Sequence, residues 1–593
     1  MNGADFIVDF LIKKENVKYV FTYAGGTDAP LLNSMHNKIF YIPTRHEENA
    51  ALAAVGYSLT AETLGVAMAM SGPGATNLTT GIADAWFDSV PVLFLTGQVT
   101  RSTYKFDNPS RQMGYQETDI VSIVKSITKK AKMITDIREL PEIFTKYVEE
   151  ARSGRPGPVL IDVPFDILKD GQIDEQAWPE FSKPKLKIND DVIKIFIDRV
   201  LASKRALIVA GGGVNNSKSK DLLIKLSERL QIPVVTSLNG KSSFPNEHPF
   251  YFGFIGAYGN RYANIAMANS DLLIALGSRL DSRQTGDTRS FAREAFKIHV
   301  DIDKNELNNN IKSDLIINAD VNDFMESIFS YLSKGPGIRC RTDVNDKWVE
   351  YFNGLKKEFD VVTDVKGTNK NVHPKKFLQE LSKYNNEDTV YLADVGNNQM
   401  FAAQSLIVKK NQKFLVSGGL GTMGFALPAS VGAYFAAPKS HIVAITGDGG
   451  FQMALQELQT LKHFNIPVKI IVLNNQILGL MKVFQDEIYN GVHPATVDGY
   501  SAPDIGKIAN AFGFKFKRVD TTEEALDFIP EFFSTKESLI LEATIHEDWT
   551  CYPKMKRGYP IEYAVPAIPD ELLAKYMLIP MFTSKNPIQT SGR

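Results

Sequence analysis

His441-Ile-Val-Ala-Ile-Thr-Gly-Asp-Gly-Gly450, followed by Val468-Lys-Ile-Ile-Val-Leu-Asn-Asn475, is the stretch that decides how this chain folds. Each piece begins as an unbroken apolar run, as expected of a strand buried on both faces of a parallel sheet. Each ends in small polar residues, where such a strand opens into a loop. Between them lies one helix-sized segment, Met453 to Asn465, with Leu455, Leu458, Leu461 and Lys462 at helical intervals. In open α/β sheets, ligands bind at the carboxyl ends of the strands. Asp448 on the first loop and an Asn amide on the second supply hard oxygen donors, and Gly447, Gly449 and Gly450 let a phosphate approach the backbone. Oxygen donors beside a diphosphate suit Mg²⁺, which keeps substrate phosphates in its octahedral shell. Without context, Gly-Asp-Gly is a turn and Asn-Asn a strand-end cap.

The order strand, phosphate loop, helix, strand, metal ligand resembles the thiamine-diphosphate (ThDP) motif, which begins GDG and ends NN. The resemblance implies that Asp448 and the Asn475 side chain are Mg²⁺ ligands, with the backbone carbonyl of Ile477 as a third.

Composition is that of an ordinary globular protein: 593 residues, 44% hydrophobic and 23% charged. A net charge of −2 gives no basic field for nucleic acid or for an anionic membrane. Cys340 and Cys551 make no disulfide framework, and the amino-terminal Met1-Asn-Gly-Ala-Asp lacks the regions of a signal peptide. No apolar run approaches the ~18 residues of a spanning helix. The expectation is a cytoplasmic protein.

The pattern predicts three α/β domains with doubly wound parallel sheets, at 1–168, 190–335 and 371–550, and a tail at 551–593. The first shows strands at Tyr19-Val-Phe-Thr, Ile39-Phe-Tyr-Ile, Gly65-Val-Ala-Met-Ala-Met, Pro91-Val-Leu-Phe-Leu and Gly157–Pro164, with a helix at Glu47–Leu59. The second shows Ala206–Ala210, Pro233–Thr236, Leu272–Leu276 and Lys297–Ile302. The third adds Val390–Val395 and Ser538–Ala543 to the opening pair. Lys169–Asn189 and the charged stretch Lys334–Lys370 read as linkers, and the tail shows one helix-like stretch, Pro569–Met577.

A second cluster, Thr44-Arg45-His46-Glu47-Glu48-Asn49, opens the first helix. Glu47 is there as a first-turn acid favoured by the helix dipole, with Glu48 and His46 as neighbouring alternatives. The resemblance favours Glu47 as the carboxyl that bonds the cofactor pyrimidine and drives its proton relay. Ser71-Gly-Pro-Gly-Ala-Thr-Asn77, Thr96-Gly-Gln-Val99, Gly25-Gly26, Tyr115-Gln-Glu-Thr-Asp119, Thr128-Lys129, Gly154–Val159 and Gly418–Pro428 together resemble acetolactate synthase (acetohydroxyacid synthase) across residues 1–550. That resemblance implies the ThDP-binding fold, with pyrimidine and diphosphate domains flanking a central Rossmann-like domain. It places Asn77, Gly396, Asn397, Asn398, Gln399, Gly421, Met423 and Leu480 around ThDP, and Gly25, Gln116 and Lys129 near the substrates. For Lys129, with Lys125, Lys130 and Lys132, the plain reading is a solvated basic face.

Gly419-Leu-Gly-Thr-Met-Gly424 is a literal GxGxxG, but residues 439–444 lack the acid of a dinucleotide fingerprint. In the middle domain, Gly211-Gly212-Gly213, Leu276–Arg283 with Arg279, the pair Asp301 and Asp303, and Asn318–Val321 with Asp320 resemble the FAD-binding parts of the same family.

The implied activity is carboligation: pyruvate loses CO₂, and its two-carbon unit is joined to a second carbonyl compound by a homodimer or homotetramer in which Glu47 of one subunit serves the diphosphate site of another. Three departures concern the acceptor. Phe484 stands where the branched-chain-pathway enzymes carry Trp, Gly396-Asn-Asn-Gln399 replaces GQHQ, and Tyr115-Gln-Glu117 replaces FQE. The tail around Arg557–Pro566 resembles homologues that make branched, yersiniose-type sugars, which implies a nucleotide-linked ketodeoxysugar as the alternative acceptor. Further alternatives are a non-catalytic homologue, or a decarboxylase or flavin-linked oxidase on the same scaffold.

Overall fold

A computed structural model describes residues 1–173, 178–180, 188–334, 342–364 and 370–582. The first sheet holds β1 (Tyr19–Tyr23), β2 (Phe40–Pro43), β3 (Gly65–Ala69), β4 (Val92–Gln98), β5 (Lys130–Met133) and β6 (Val159–Pro164), in the order β2-β1-β3-β4-β6-β5. The second holds β7 (Ala206–Ala210), β8 (Val234–Thr236), β9 (Tyr251–Phe254), β10 (Leu272–Leu276), β11 (Phe296–Asp301) and β12 (Leu315–Asn318), in the order β12-β11-β10-β7-β8-β9. The third holds β13 (Thr389–Ala393), β14 (Lys413–Val416), β15 (His441–Gly447), β16 (Lys469–Asn474), β17 (Lys515–Val519) and β18 (Leu539–Thr544), in the order β14-β13-β15-β16-β18-β17. All neighbours in these sheets are parallel.

The first and third sheets have the same winding, with the direction of strand addition reversing between β1 and β3 and between β13 and β15. The middle sheet has the winding of dinucleotide-binding domains, reversing between β7 and β10. These three crevices, where loops splay apart at the carboxyl edge, position everything that follows.

The outer domains share one core. Helix Glu47–Ala61 lies against helix Ala426–Ala436, and both are rich in alanine. A Cβ at Gly56 would overlap the Ala429 carbonyl, and one at Gly432 the Ala53 carbonyl, so the two backbones touch through absent side chains.

One expectation is corrected by packing. The charged stretch read as a second linker contains a helix, Thr342–Glu358, whose Trp348, Phe352 and Leu355 enter the middle-domain core. Trp348 Nε1 donates to the Ala206 carbonyl at 3.1 Å, and the Phe252 and Phe352 rings stack with centroids 3.6 Å apart. The tail, expected to carry one helix-like stretch, packs on the middle domain in its described part. It forms a short antiparallel pair (Lys554–Met555 with Ala564–Val565) and a helix, Asp570–Tyr576, and it buries Ile561 and Leu573 in the same core. Of the first linker, residues 174–177 and 181–187 lie outside the described residues, as does Cys340.

Candidate active site

The helix after β15 begins earlier than its leucines predict, at Asp448, with Gly447 as N-cap. Asp448 therefore occupies the first helical position, beside the end of β16. There Asn475 Oδ1 lies 2.9 Å from the Ile477 carbonyl oxygen and 3.2 Å from Asp448 Oδ1. Turning the Asn475 amide would set an N–H against both oxygens. The Ile477 N–H, which donates to Asn475 Oδ1 at 3.3 Å, favours the oxygen-inward arrangement. Three converging acceptors repel one another unless a cation sits among them. Their spacing is that of an octahedral edge, roughly 3.0 Å for Mg–O bonds of about 2.1 Å. The other oxygen of Asp448 accepts the Tyr500 hydroxyl at 2.7 Å. Burial pushes the Asp448 carboxyl up to about 6 against that bond, a cost that a divalent ion would offset. Among the described residues no three His, Cys, Asp or Glu side chains gather to hold a metal, so this mixed oxygen set stands alone.

Around it, the loops after β13 and β14 form a cradle. Gly396 adopts φ 137° and caps helix Asn397–Ser405. Asn398 Nδ2 ties the turn to the Asp394 carbonyl at 2.6 Å, while both amide atoms of Asn397 and the Gln399 Nε2 are buried without partners. Buried amides left this way call for a ligand. A Cβ at Gly449 would meet Leu478 Cδ2 at 2.8 Å, with Met423 Cε and the Tyr500 hydroxyl at 3.3 Å, so Met423 does reach the Gly-Asp-Gly loop. Gly450 leaves room for the Asp394 carboxylate, which accepts the Gly424 and Ala426 N–H groups at 2.9 and 3.1 Å and is pushed up to about 7 by burial.

The loop carrying Gly421 and Met423 is also held from the N-terminal domain, by two acids that sequence reading missed. Asp84 accepts the Ser417 hydroxyl and, at 3.0 Å, that of Thr422. Asp88 accepts the Gly418 and Gly419 N–H groups at 2.8 and 2.7 Å, and Asn239 Nδ2 of the middle domain at 2.8 Å. All three domains meet at Asp88.

In the first domain Glu47, 8% exposed, accepts Asn77 Nδ2 on Oε2 at 3.0 Å. Its Oε1 faces Gly74, where a Cβ would stand 3.3 Å away. Of the two alternatives, His46 is the N-cap and accepts the Glu48 N–H at 3.2 Å. Gly25 packs on Met70 at the crevice between β1 and β3, and Gln116, at φ 64°, packs on Gly72. The structure adds Asp28, fully buried, which accepts the Gly25 N–H at 2.9 Å and leaves Oδ2 without a partner. Burial first, then Glu47's charge, raise it to about 6 against its backbone bonds. Lys129 does not join this group. It precedes the first residue of β5, at the amino edge of the sheet, and its ammonium donates to the carbonyls of Glu150, Ser153 and Arg155 at 2.5, 2.6 and 2.9 Å, closing the end of helix Leu140–Arg152.

A cavity of about 620 Å³ runs from the middle-domain crevice to the C-terminal domain. Gly212, Arg279, Asp301 and Asp320 line one end, and Gln399, Gly421 and Leu480 the other. Gly211 lies behind it, where a Cβ would strike Gly277.

Three family models match in order: the N-terminal TPP binding domain of thiamine pyrophosphate enzymes over residues 1–123, their central domain over 193–328, and their C-terminal TPP binding domain over 394–543. The chain is 38% identical over 562 residues to a probable acetolactate synthase large subunit of Methanocaldococcus jannaschii, covering 92% of each. It is 33% identical over 591 residues to the acetolactate synthase large subunit of Lactococcus lactis, covering 99% of this chain and 97% of the other. It is 32% identical over 571 residues to the acetolactate synthase isozyme 3 large subunit of Escherichia coli, covering 94% and 97%. With three matched domains and near-complete coverage, the chain belongs to the thiamine-pyrophosphate enzymes, in the family of the acetolactate synthase large subunits.

Proposed function

We propose that this chain is a Mg²⁺-dependent ThDP carboligase that decarboxylates pyruvate and joins the two-carbon unit to a second carbonyl compound. The convergence of Asp448 Oδ1, Asn475 Oδ1 and the Ile477 carbonyl carries this reading: with the amide held oxygen-inward by the Ile477 N–H, a cation among the three oxygens makes it favourable. When bound, ThDP supplies the electron sink for decarboxylation. The chain's own residues do the rest. Asp448, Asn475 and Ile477 hold the ion, while Asn397, Gln399 and the Gly447–Gly450 backbone take the diphosphate. Met423 props the cofactor. Glu47, oriented by Asn77, holds and moves the proton at the pyrimidine nitrogen.

Glu47 and Asp448 serve different copies of the site in this reading, so the active unit is a homodimer or a multiple of one. Exposed apolar side chains on both halves support it: Phe106, Met113 and Tyr115 beside Gln116, and Met481, Phe484 and Tyr489 after Asn475. The long cavity, floored by a dinucleotide-type crevice and ending at Gly421 and Leu480, is the proposed FAD site. Flavin absorbance that survives purification would support it.

For the acceptor, Phe484 and Tyr115 favour a second reading. Both are open to solvent, at 43% and 85% exposed, and so are free to meet a large polar acceptor such as a nucleotide-linked ketosugar. Mass spectrometry of products from pyruvate alone, and from pyruvate with a 2-keto acid or a nucleotide-ketosugar, separates these. Acetolactate from pyruvate alone supports the first reading. A branched sugar formed in preference to acetolactate replaces it, and unconsumed pyruvate refutes both.

A further inference from the structure

Asp28 is fully buried beside the crevice between β1 and β3, and half of its carboxyl is unused. It stands at the N-cap of helix Ala29–Met35, yet its side chain accepts no helix N–H, so capping does not account for it. Oδ1 accepts the Gly25 N–H at 2.9 Å, and Oδ2 has no partner among the described residues. The loop from Gly25 to Asp28 is fixed against the loop after β3. The Ser71 N–H donates to Thr27 Oγ1 at 2.9 Å, and Gly25 packs on the Met70 side chain. Met70 packs in turn on Gly74, which also faces Glu47 Oε1. One methionine side chain is therefore shared by the loop that carries Asp28 and the loop that faces Glu47. On the β4 side, a Cβ at Gly97 would stand 2.9 Å from the Asp28 nitrogen.

Two acids in one water-poor pocket titrate as a pair, each raising the other's affinity for a proton. Burial pushes the Asp28 carboxyl up to about 6 against its backbone bonds, and the charge of Glu47 adds to the rise. Other acids near its helix are committed elsewhere. On helices Gly3–Asp9 and Phe165–Lys169, which pack against it, Asp5 accepts the Ser34 hydroxyl, Asp9 pairs with Lys13, and Asp166 pairs with Arg101. We propose that Asp28 is a positioning residue for Glu47: its buried carboxyl, tied to the Gly25 N–H, sets the pH at which Glu47 gives up its proton. The inference rests on Glu47 as the carboxyl of the relay. Above about pH 6 Asp28 is ionised, and its negative charge holds the proton on Glu47 more tightly than a neutral residue would.

Asp28→Asn keeps an acceptor for the Gly25 N–H and removes the charge. In the enzyme loaded with ThDP, Mg²⁺ and FAD, the acid limb of its kcat/KM profile for pyruvate should move to lower pH by roughly one unit. A purely structural Asp28 would leave that limb in place. Proton coupling between two sites is reciprocal, so Glu47 must act on Asp28 by the same amount. In cofactor-free protein carrying ¹³C-labelled aspartate, infrared difference spectra across pH should show one aspartate that titrates lower in Glu47→Gln than in wild type. That measurement needs neither turnover nor the Asp28 variant, so it decides even if Asp28→Asn does not fold. An acid limb unmoved in Asp28→Asn, or identical aspartate titrations in wild type and Glu47→Gln, overturns the proposal and leaves the relay standing. Undiminished kcat in Glu47→Gln overturns both.

Discussion

In the proposed reaction Glu47 and Asp448 are two carboxylates with different work, and their surroundings separate them. Asp448 is enclosed with two further oxygens and a tyrosine hydroxyl, whereas Glu47 has one amide partner and only the side-chain-free Gly74 facing its other oxygen. Replacing Glu47 with Gln should lower kcat by about 10²–10⁴, the usual worth of a positioned proton-transfer group, while Mg²⁺-dependent ThDP binding stays near wild type. Steady-state kinetics beside cofactor titration checks both halves, and an unchanged kcat removes Glu47 from the relay. Tyr500→Phe should raise the half-saturating Mg²⁺ concentration by about 10–100-fold, because it removes the bond that orients Asp448. Glu47, Asp448 and Asn475 are legible in the sequence because each stands inside a dense local pattern. Asp28, Asp84, Asp88 and Tyr500 are not: each is a lone polar residue whose partner lies far along the chain, or whose role appears only once a loop is folded over it.

Among elements, what the sequence shows depends on depth. The strands named from apolar runs are chiefly the interior ones, such as β4, β15 and β16, whose residues are nearly all buried. The five not named, β5, β9, β12, β14 and β17, all lie at sheet edges. Lys130-Ala-Lys-Met133 and Lys515-Phe-Lys-Arg-Val519 carry the charges by which an edge avoids pairing with another chain, and those charges hide the strand signal. Helix Thr342–Glu358 was obscured in the same way: Trp348, Phe352, Leu355 and Phe359 keep a helical period, but its mean character is polar. Two glycines give opposite tests of helix packing. Gly432→Ala forces a methyl into the Ala53 carbonyl and should cost about 1–3 kcal/mol or more. Gly354→Ala meets nothing within 4 Å on an exposed helix face and should stabilise by up to about 1 kcal/mol. Denaturant midpoints of the two variants should move in opposite directions.

On the scale of the whole molecule, Asp84 and Asp88 join the domains through buried hydrogen bonds, and further buried acids lie inside them. Asp84, Asp162 and Asp394 are each pushed up to about 7, chiefly by burial. Their unfolded-state values lie near 3.9, so between about pH 4 and 7 the native chain binds more protons than the unfolded one. Their contribution to stability is therefore full below about pH 4 and is lost as pH rises through 7. Asp162→Asn, which keeps an acceptor for the Thr96 hydroxyl at 2.6 Å, should gain in melting temperature relative to wild type as pH is raised from 5 to 8. A constant difference would mean that Asp162 is ionised in the native state. The same architecture sets the two ends of the long cavity against the loops of two domains, and no helix among the described residues is long and apolar enough to cross a membrane. The central claim, that the joined domains form a C–C bond from pyruvate, is tested most directly by counting carbon. With ¹³C-labelled pyruvate, ThDP and Mg²⁺, the account predicts one CO₂ released for each two-carbon unit found in a C–C bonded product, and none of either when Mg²⁺ is chelated. CO₂ released with only acetaldehyde or acetate, or turnover indifferent to Mg²⁺, would contradict it.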